Sequence, residues 1–337
     1  MAKSYRVAIV GATGAVGRKF VECLEKRRFP VATMTMYASP DSVGKVLHYG
    51  GKPHRIVGLS PETVEPFDFA FFSAGSSISR EYAPIFASKG AVVIDNSSAW
   101  RMDPGTPLVV PEVNAADAAK HKGIIANPNC STIQMVVALK PLHDAARIRR
   151  IVVSTYQAIS GAGGRALAEF DEEVRSDFLK DGLSKRKIFP RPVAFNCIPQ
   201  VPQKEAYLPT GYTIEETKIV EETKKILGDP SIRVAATCVR VPVRNCHSES
   251  VNIETERKLT PAEAIAILKK APGVSVSESP ETFPTPLEVS GRDETFVGRL
   301  REDPSVTNGL HLWIVADNVL KGAALNAVQI AELLTPR

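Results

Sequence analysis

Tyr5-Arg6-Val7-Ala8-Ile9-Val10 runs into Gly11-Ala12-Thr13-Gly14-Ala15-Val16-Gly17, and the reading of this stretch decides the fold. A largely apolar run ends in glycines spaced G-x-x-G-x-x-G, after which Phe20, Val21 and Leu24 recur at helical spacing. Strand, glycine turn and helix in that order open a dinucleotide-binding sheet. The glycines let the backbone turn tightly and approach a pyrophosphate, whose charge then rests on the helix N-terminus. The spacing is a variant of the usual fingerprint, and its position directly after the first strand gives it weight. Strand patterns at residues 33–38, 69–73 and 91–95, with helical character near residues 80–87, extend this start into an α/β, doubly wound Rossmann-type domain.

At 337 residues the chain exceeds what one hydrophobic core usually organises, so two domains sharing an active-site cleft are expected. Hydrophobic residues at 44% and charged residues at 23% are ordinary for a soluble globular protein. Cys23, Cys130, Cys197, Cys238 and Cys246 are scattered without a C-x-x-C pair, which argues against a metal site of the zinc-ribbon kind and against a disulfide framework. A reducing, cytoplasmic setting is expected, with no signal-peptide pattern and no apolar run approaching a membrane span. The net charge of +5 is spread along the chain, and no basic platform interleaved with aromatics marks a nucleic-acid surface. An anionic small substrate accounts for the surplus better.

Asn127-Pro128-Asn129-Cys130-Ser131-Thr132 places one thiol just ahead of the apolar helical run Ile133, Val136, Val137 and Leu139. In the first helical turn, open backbone N–H groups and the helix dipole favour a thiolate, so Cys130 reads as a nucleophile; the bland alternative is a small buried cysteine. His247, one of six histidines, reads alone as a structural residue, and together with Cys130 as a proton shuttle. Arg240 suits bidentate capture of a carboxylate, and Arg101 follows the polar turn after a strand end, where a doubly wound sheet collects ligand groups. Glu215 and Lys218 lie three apart on a charged helix, which by itself is an ordinary surface pair. The end of the second strand carries Tyr37-Ala38-Ser39 where an NAD site would carry an acid, and Ser39 and Ser42, with Lys45 nearby, suit a 2′-phosphate; Asp41 opposes it.

GATGAVG at 11–17, FFSAG at 71–75, SSAWRM at 97–102, NPNCST at 127–132, YQAISGAG at 156–163, EETK at 215–218, RVPVRNCHS at 240–248 and DNVLKGAALNAVQIAE at 317–332 together resemble the bacterial aspartate-semialdehyde dehydrogenases, over nearly the whole chain. N-acetyl-glutamyl-phosphate reductases share the glycine turn and a cysteine but typically place Gly-Cys-Tyr where this chain has Asn129-Cys130-Ser131. The resemblance implies NADPH-dependent interconversion of L-aspartyl 4-phosphate and L-aspartate 4-semialdehyde, in the biosynthesis of lysine, methionine, threonine and isoleucine. It implies Cys130 as nucleophile, His247 as acid–base group and Gln157 as the residue orienting the substrate. Arg240 is implied to bind the α-carboxylate, Glu215 to face the amino group, and Arg101, Asn129 and Lys218 to bind phosphate. Gly11, Thr13, Gly14, Ala15, Val16, Ser39, Ser42, Ser73, Gly75, Ser160, Gly161, Gly163 and Asn318 are implied to contact NADP.

The same resemblance implies a homodimer, with an NADP-binding domain at 1–129 plus 317–337 and an α+β catalytic and dimerisation domain at 130–316. Its departure is at the adenosine end, since many relatives carry Arg at the position of Asp41. Two other readings stay in view: a reductase of another activated acid such as a CoA thioester, and a catalytically silent nucleotide-binding or subunit-interaction protein. The second sits poorly with Cys130, Gln157, Arg240 and His247 all being present.

Overall fold

The structure is a computed structural model and describes residues 3–176 and 188–335. The chain divides into two units, Met1–Asn129 with Ala323–Arg337, and Cys130–Gly322.

In the first unit β1 (Tyr5–Val10), α1 (Ala15–Lys26) and β2 (Val31–Ala38) are followed by a hairpin of β3 (Val46–Tyr49) and β4 (Lys52–Arg55). After these come β5 (Val57–Gly58), β6 (Phe69–Phe72), α2 (Ser76–Ser88), β7 (Val92–Asp95), α3 (Pro111–Asn114) and β8 (Ile124–Ala126). The sheet order is β5-β2-β1-β6-β7-β8, parallel throughout. Strands buried on both faces must be apolar along their length: β6 is buried end to end, and β1 exposes only Arg6. The winding reverses between β1 and β6, the switch point where open parallel sheets bind ligands beyond their strand ends. Gly11 leaves β1 and Ser73 leaves β6 at that point, so the glycine turn stands where the topology requires a ligand site.

The second unit contains α4 (Cys130–Ala146), β9 (Ile148–Gln157), α5 (Gly164–Arg175), α6 (Ile214–Leu227), β10 (Arg233–Arg240), β11 (His247–Thr255), α7 (Pro261–Leu268), β12 (Val274–Val276), α8 (Pro286–Val289), β13 (Thr295–Asp303) and β14 (Gly309–Ala316). Its mixed sheet runs β10-β9-β11-β14-β13-β12. Buried and partly exposed residues alternate along β9 and β11, so one face forms the core and the other is half open. On the core face Ala236, Val153, Val251 and Leu312 form a row across four strands and pack with Leu139 and Leu142 of α4. α4 is buried on nearly every side, as a helix apolar all round must be. Tyr156 and Trp313 occupy the opposite face with ring centroids 5.5 Å apart.

The last helix, α9 (Leu325–Leu333), belongs to the first unit, where Glu332 accepts two hydrogen bonds of 2.6 Å from Arg27 at the end of α1. The return to that unit falls at Ala323, six residues later than the boundary expected at 317. Asp317 explains the difference, because its carboxylate accepts from Asn245 Nδ2 at 2.7 Å and from the Gly291 N–H at 2.9 Å, both in the second unit. A π-helical turn at Leu320–Ala324 also delays the start of α9. Strand β13 escapes the sequence pattern because Arg299 takes φ +55° and the register shifts between Gly298 and Arg301, which breaks the alternation. Among the described residues no helix is long and apolar enough to cross a membrane.

Candidate active site

In the first unit the glycine turn is fixed by sterics. Gly11 has φ +88°, and a Cβ there would lie 2.3 Å from the Ser73 carbonyl oxygen. A Cβ on Gly17 would lie 2.1 Å from the Gly11 carbonyl oxygen, so the glycine lets α1 press against its own turn. The N–H groups of Gly11 and Ala12 donate to the Tyr37 carbonyl at 2.9 and 3.0 Å, fastening the turn to the end of β2. Gly14 precedes α1 and no side chain caps it, so Ala15 and Val16 begin a helix whose first N–H groups lack that competitor for an anion. Gly75, at φ +90°, starts α2 in the same uncapped way after Ser73. Ser42 is buried beside this turn, with Thr13 Oγ1 at 3.5 Å and Lys45 Nζ at 3.4 Å from its hydroxyl, whereas Ser39 and Asp41 are exposed. These residues fit a dinucleotide: close-approach glycines, an uncapped helix and the Lys45 cation in the segment after β2.

Arg101 is buried in the same unit, donating from Nε to the Asn127 carbonyl at 3.0 Å and from Nη2 to the Asn96 carbonyl at 2.8 Å. Asn127 is itself held by Asn326 of α9 at 2.7 Å, so the segment leading to Asn129 is rigid from both sides.

The second unit assembles the chemistry. Cys130 is the first residue of the 17-residue helix α4 and keeps intermediate exposure, while Cys23, Cys238 and Cys246 are buried. Burial pushes the Cys246 thiol up to about 12 and raises Cys238 further, so both are held as inert thiols. Gln157 ends β9 and Arg240 ends β10 directly opposite it; His247 opens β11 next to the Ser248–Tyr156 pair. Three adjacent strands therefore deliver their terminal residues to one edge. Gln157 Nε2 donates to Ser131 Oγ at 2.7 Å and to Glu215 Oε1 at 3.3 Å, tying the residue after Cys130 to a buried carboxylate. Glu215 stands in the first turn of α6, positioned by a capping box in which the Glu216 carboxylate also accepts the Cys238 N–H at 2.9 Å. Lys218 Nζ sits 3.2 Å from Glu215, so the surface-pair geometry exists, yet its anion faces inward.

Arg240 donates from Nη1 to the Ala158 carbonyl, and its buried Nε has no partner. Burial lowers its basicity and Glu215 opposes that shift. His247 is fully enclosed, and desolvation, followed by the Arg240 guanidinium, pushes its pKa down to about 3 against a smaller opposing effect of Glu215. Its Nδ1 accepts from the Ala158 N–H at 3.0 Å, which assigns the single proton of the neutral ring to Nε2. The ring as held offers a donor at Nε2; a proton shuttle with a free Nε2 lone pair would require the other tautomer. The turn 244–246 before it is stapled to Asn318, whose Oδ1 accepts the Cys246 N–H at 3.0 Å and whose Nδ2 donates to Ser160 at 3.0 Å.

Sequence reading missed several parts of this arrangement. Ser131 bonds Gln157, and a Cβ on Gly322 would lie 3.0 Å from Cys130 Cβ, so glycine keeps the space against Cys130 open. Gly161, expected at the cofactor, stands where a Cβ would come 3.1 Å from His247 Cε1 and 3.2 Å from Arg240 Nη1, whereas Gly163 takes φ +88° and caps α5. The φ of Gly161 is not left-handed, so alanine meets only these side chains. Gly161→Ala is expected to lower kcat/KM by about tenfold by displacing His247 and Arg240. Steady-state kinetics with a thermal melt checks this, and parent kinetics would show that the close contact does not matter.

The family pattern described as semialdehyde dehydrogenase, NAD binding domain, matches residues 6–121, and that described as semialdehyde dehydrogenase, dimerisation domain, matches residues 139–321. Aspartate-semialdehyde dehydrogenase of Aquifex aeolicus (strain VF5) is 54% identical over 98% of both chains. The chain belongs to the aspartate-semialdehyde dehydrogenase family. The Bacillus subtilis (strain 168) member is 47% identical over 99% of this chain and 98% of its own. The crystal structure of aspartate semialdehyde dehydrogenase II complexed with ASA from Vibrio cholerae superposes with a TM-score of 0.92 at 45% identity, covering 99% of this chain and 98% of that one. As a family member the chain is an oxidoreductase, and its first unit is a pyridine-nucleotide domain.

Proposed function

We propose that this family member converts L-aspartyl 4-phosphate to L-aspartate 4-semialdehyde through a thioester on Cys130, as a cytoplasmic homodimer using NADPH in amino-acid biosynthesis. One observation carries the substrate class: a buried cation, Arg240 with its open Nε, and a buried anion, Glu215, flank Gln157. Opposite charges displayed this way match the α-carboxylate and α-ammonium of an amino acid.

In this reading Cys130 Sγ attacks the acyl carbon, forming a C–S bond as the C–O bond to phosphate breaks. Arg101, Asn129 and Lys218 bind the departing phosphate. When bound, the reduced nicotinamide supplies a hydride to the thioester carbonyl carbon. His247 Nε2–H donates to the oxygen that becomes an oxyanion, and collapse of the adduct releases the aldehyde and returns the Cys130 thiolate. The glycine turn and the two uncapped helix starts hold the pyrophosphate, while Ser160 and Asn318 serve the nicotinamide half. The half-open sheet face bearing Tyr156 and Trp313 is where a second copy docks.

The deciding assay is NADPH formation from L-aspartate 4-semialdehyde in the presence and absence of inorganic phosphate. Turnover that ignores phosphate and depends on CoA would select the thioester-reductase reading. For the nucleotide, Ser42 and Lys45 favour a 2′-phosphate and Asp41 repels one. Asp41→Arg is therefore expected to raise the NADPH-over-NADH ratio of kcat/KM by about tenfold, the worth of one charge-assisted contact. A parent enzyme that prefers NADH strongly would remove the NADP assignment.

A further inference from the structure

The row of the sheet immediately behind the catalytic one holds a group the mechanism does not use. Cys238, Thr155, Glu249 and Ile314 lie side by side in register across β10, β9, β11 and β14, between the Arg240–Gln157 edge and the apolar row of Val153 and Val251. Glu249 is 0% exposed. The polar side chain facing it is the amide of Gln134, from the second turn of α4. Both Glu249 oxygens and Gln134 Oε1 are buried without a well-formed hydrogen bond. The titratable groups around this row are Cys238 on β10, Glu215 and Glu216 on α6 and His247 on the same strand, and among the described residues no cation pairs with Glu249.

We infer that Glu249 is a neutral carboxylic acid whose O–H donates to Gln134 Oε1, making it a positioning residue for His247. A proton on the Glu249 carboxyl lets it share a hydrogen bond with Gln134 Oε1, whereas an isolated carboxylate in an apolar interior is avoided by neutralisation. Burial raises Glu249 well above the usual carboxylate range, and the Gln134 amide opposes that rise only in part. The consequence reaches the active site through Gln134, whose Nε2 donates to the His247 carbonyl at 3.3 Å. Glu249 fixes which way the amide points, and the amide fixes the backbone of His247 against the helix that begins with Cys130. An apolar residue at 249 would fill the space and leave the amide free to turn.

This inference rests on the role proposed above for His247, and its test reads the two separately. An infrared difference spectrum of parent against Glu249→Gln at pH 7 is expected to show a protonated-carboxyl band that the variant lacks; its absence overturns the inference. Glu249→Leu is expected to lower kcat by about tenfold or more with KM within about threefold, and Glu249→Gln, which keeps a donor, to stay near the parent. If Glu249→Leu does not fold, Gln134→Met reads the same loss. The double variant Gln134→Glu with Glu249→Gln exchanges acid and amide while preserving both hydrogen bonds, and it is expected to recover parent kcat within about threefold. Parent kcat in Glu249→Leu or Gln134→Met, or no recovery in the exchanged pair, overturns the positioning role. Parent kcat in a His247→Ala control would instead overturn the mechanism on which that role rests, while the infrared band still reports on Glu249.

Discussion

Cys130→Ala is expected to abolish phosphate-dependent NADPH formation from aspartate semialdehyde, lowering kcat by about 10⁴-fold or more while nucleotide affinity stays within about threefold. The size follows from covalent catalysis: without a nucleophile the acyl phosphate has no thioester to pass through, and the remaining groups only bind and orient. The separation follows from the division of the chain, because the glycine turn, α1 and β2 belong to Met1–Asn129 and the thiol begins the next unit. The alternatives within the sequence are distinguishable. Cys23, Cys238 and Cys246 are buried, and Cys197, though exposed, lies outside any helix or strand, so none offers a replacement nucleophile at a helix start. Incubation of the parent with aspartyl phosphate in the absence of nucleotide should leave an acyl adduct on the peptide containing Cys130, detectable by mass spectrometry. Equal turnover in parent and variant would end the covalent mechanism.

The residues that stand out in the sequence are those with a distinctive local pattern. Gly11 and Gly17 stand out because a side chain there would collide with the turn, and Cys130 because a polar hexapeptide meets an apolar helix. His247, Arg240 and Gln157 were separate candidates in the sequence, and only strand register shows why all three terminate strands: β10, β9 and β11 are neighbours that end at one edge. Tautomer was not legible at all, since it depends on the N–H of Ala158, which reaches His247 from another strand end. Glu249 and Gln134 carry no signal in the sequence, because one-dimensional patterns assign polar groups to solvent and both are buried. The return to the nucleotide unit was expected at 317 and falls at Ala323, because the hydrogen bonds of Asp317 to Asn245 and Gly291 are long-range. What the sequence hides here is the partner of each buried polar group rather than the position of the element that carries it.

His247 should prove to be a hydrogen-bond donor held neutral, and this has two measurable consequences. Removing one preorganised oxyanion donor costs about 10²- to 10³-fold in kcat, which is the loss expected for His247→Ala. His247→Gln, whose amide can present an N–H in place of Nε2, is expected to recover about tenfold of that loss. A general-base role predicts otherwise, because glutamine accepts no proton, and Gln and Ala variants would then be equally slow. The second consequence concerns stability. The folded ring is held down to about 3 from 6.5 by desolvation and by Arg240, so the unfolded chain takes up a proton below pH 6.5 that the folded protein refuses. The stabilisation is complete above pH 6.5 and is lost progressively as the pH falls towards 3, amounting to about 2 kcal/mol by pH 5. Denaturant unfolding at pH 7 and pH 5 should therefore show a steeper acid loss for the parent than for His247→Gln, which has no ring to protonate. Parallel pH dependence in the two proteins would mean that His247 takes up its proton in the fold as readily as in the unfolded chain, and its assignment as a neutral donor would fall.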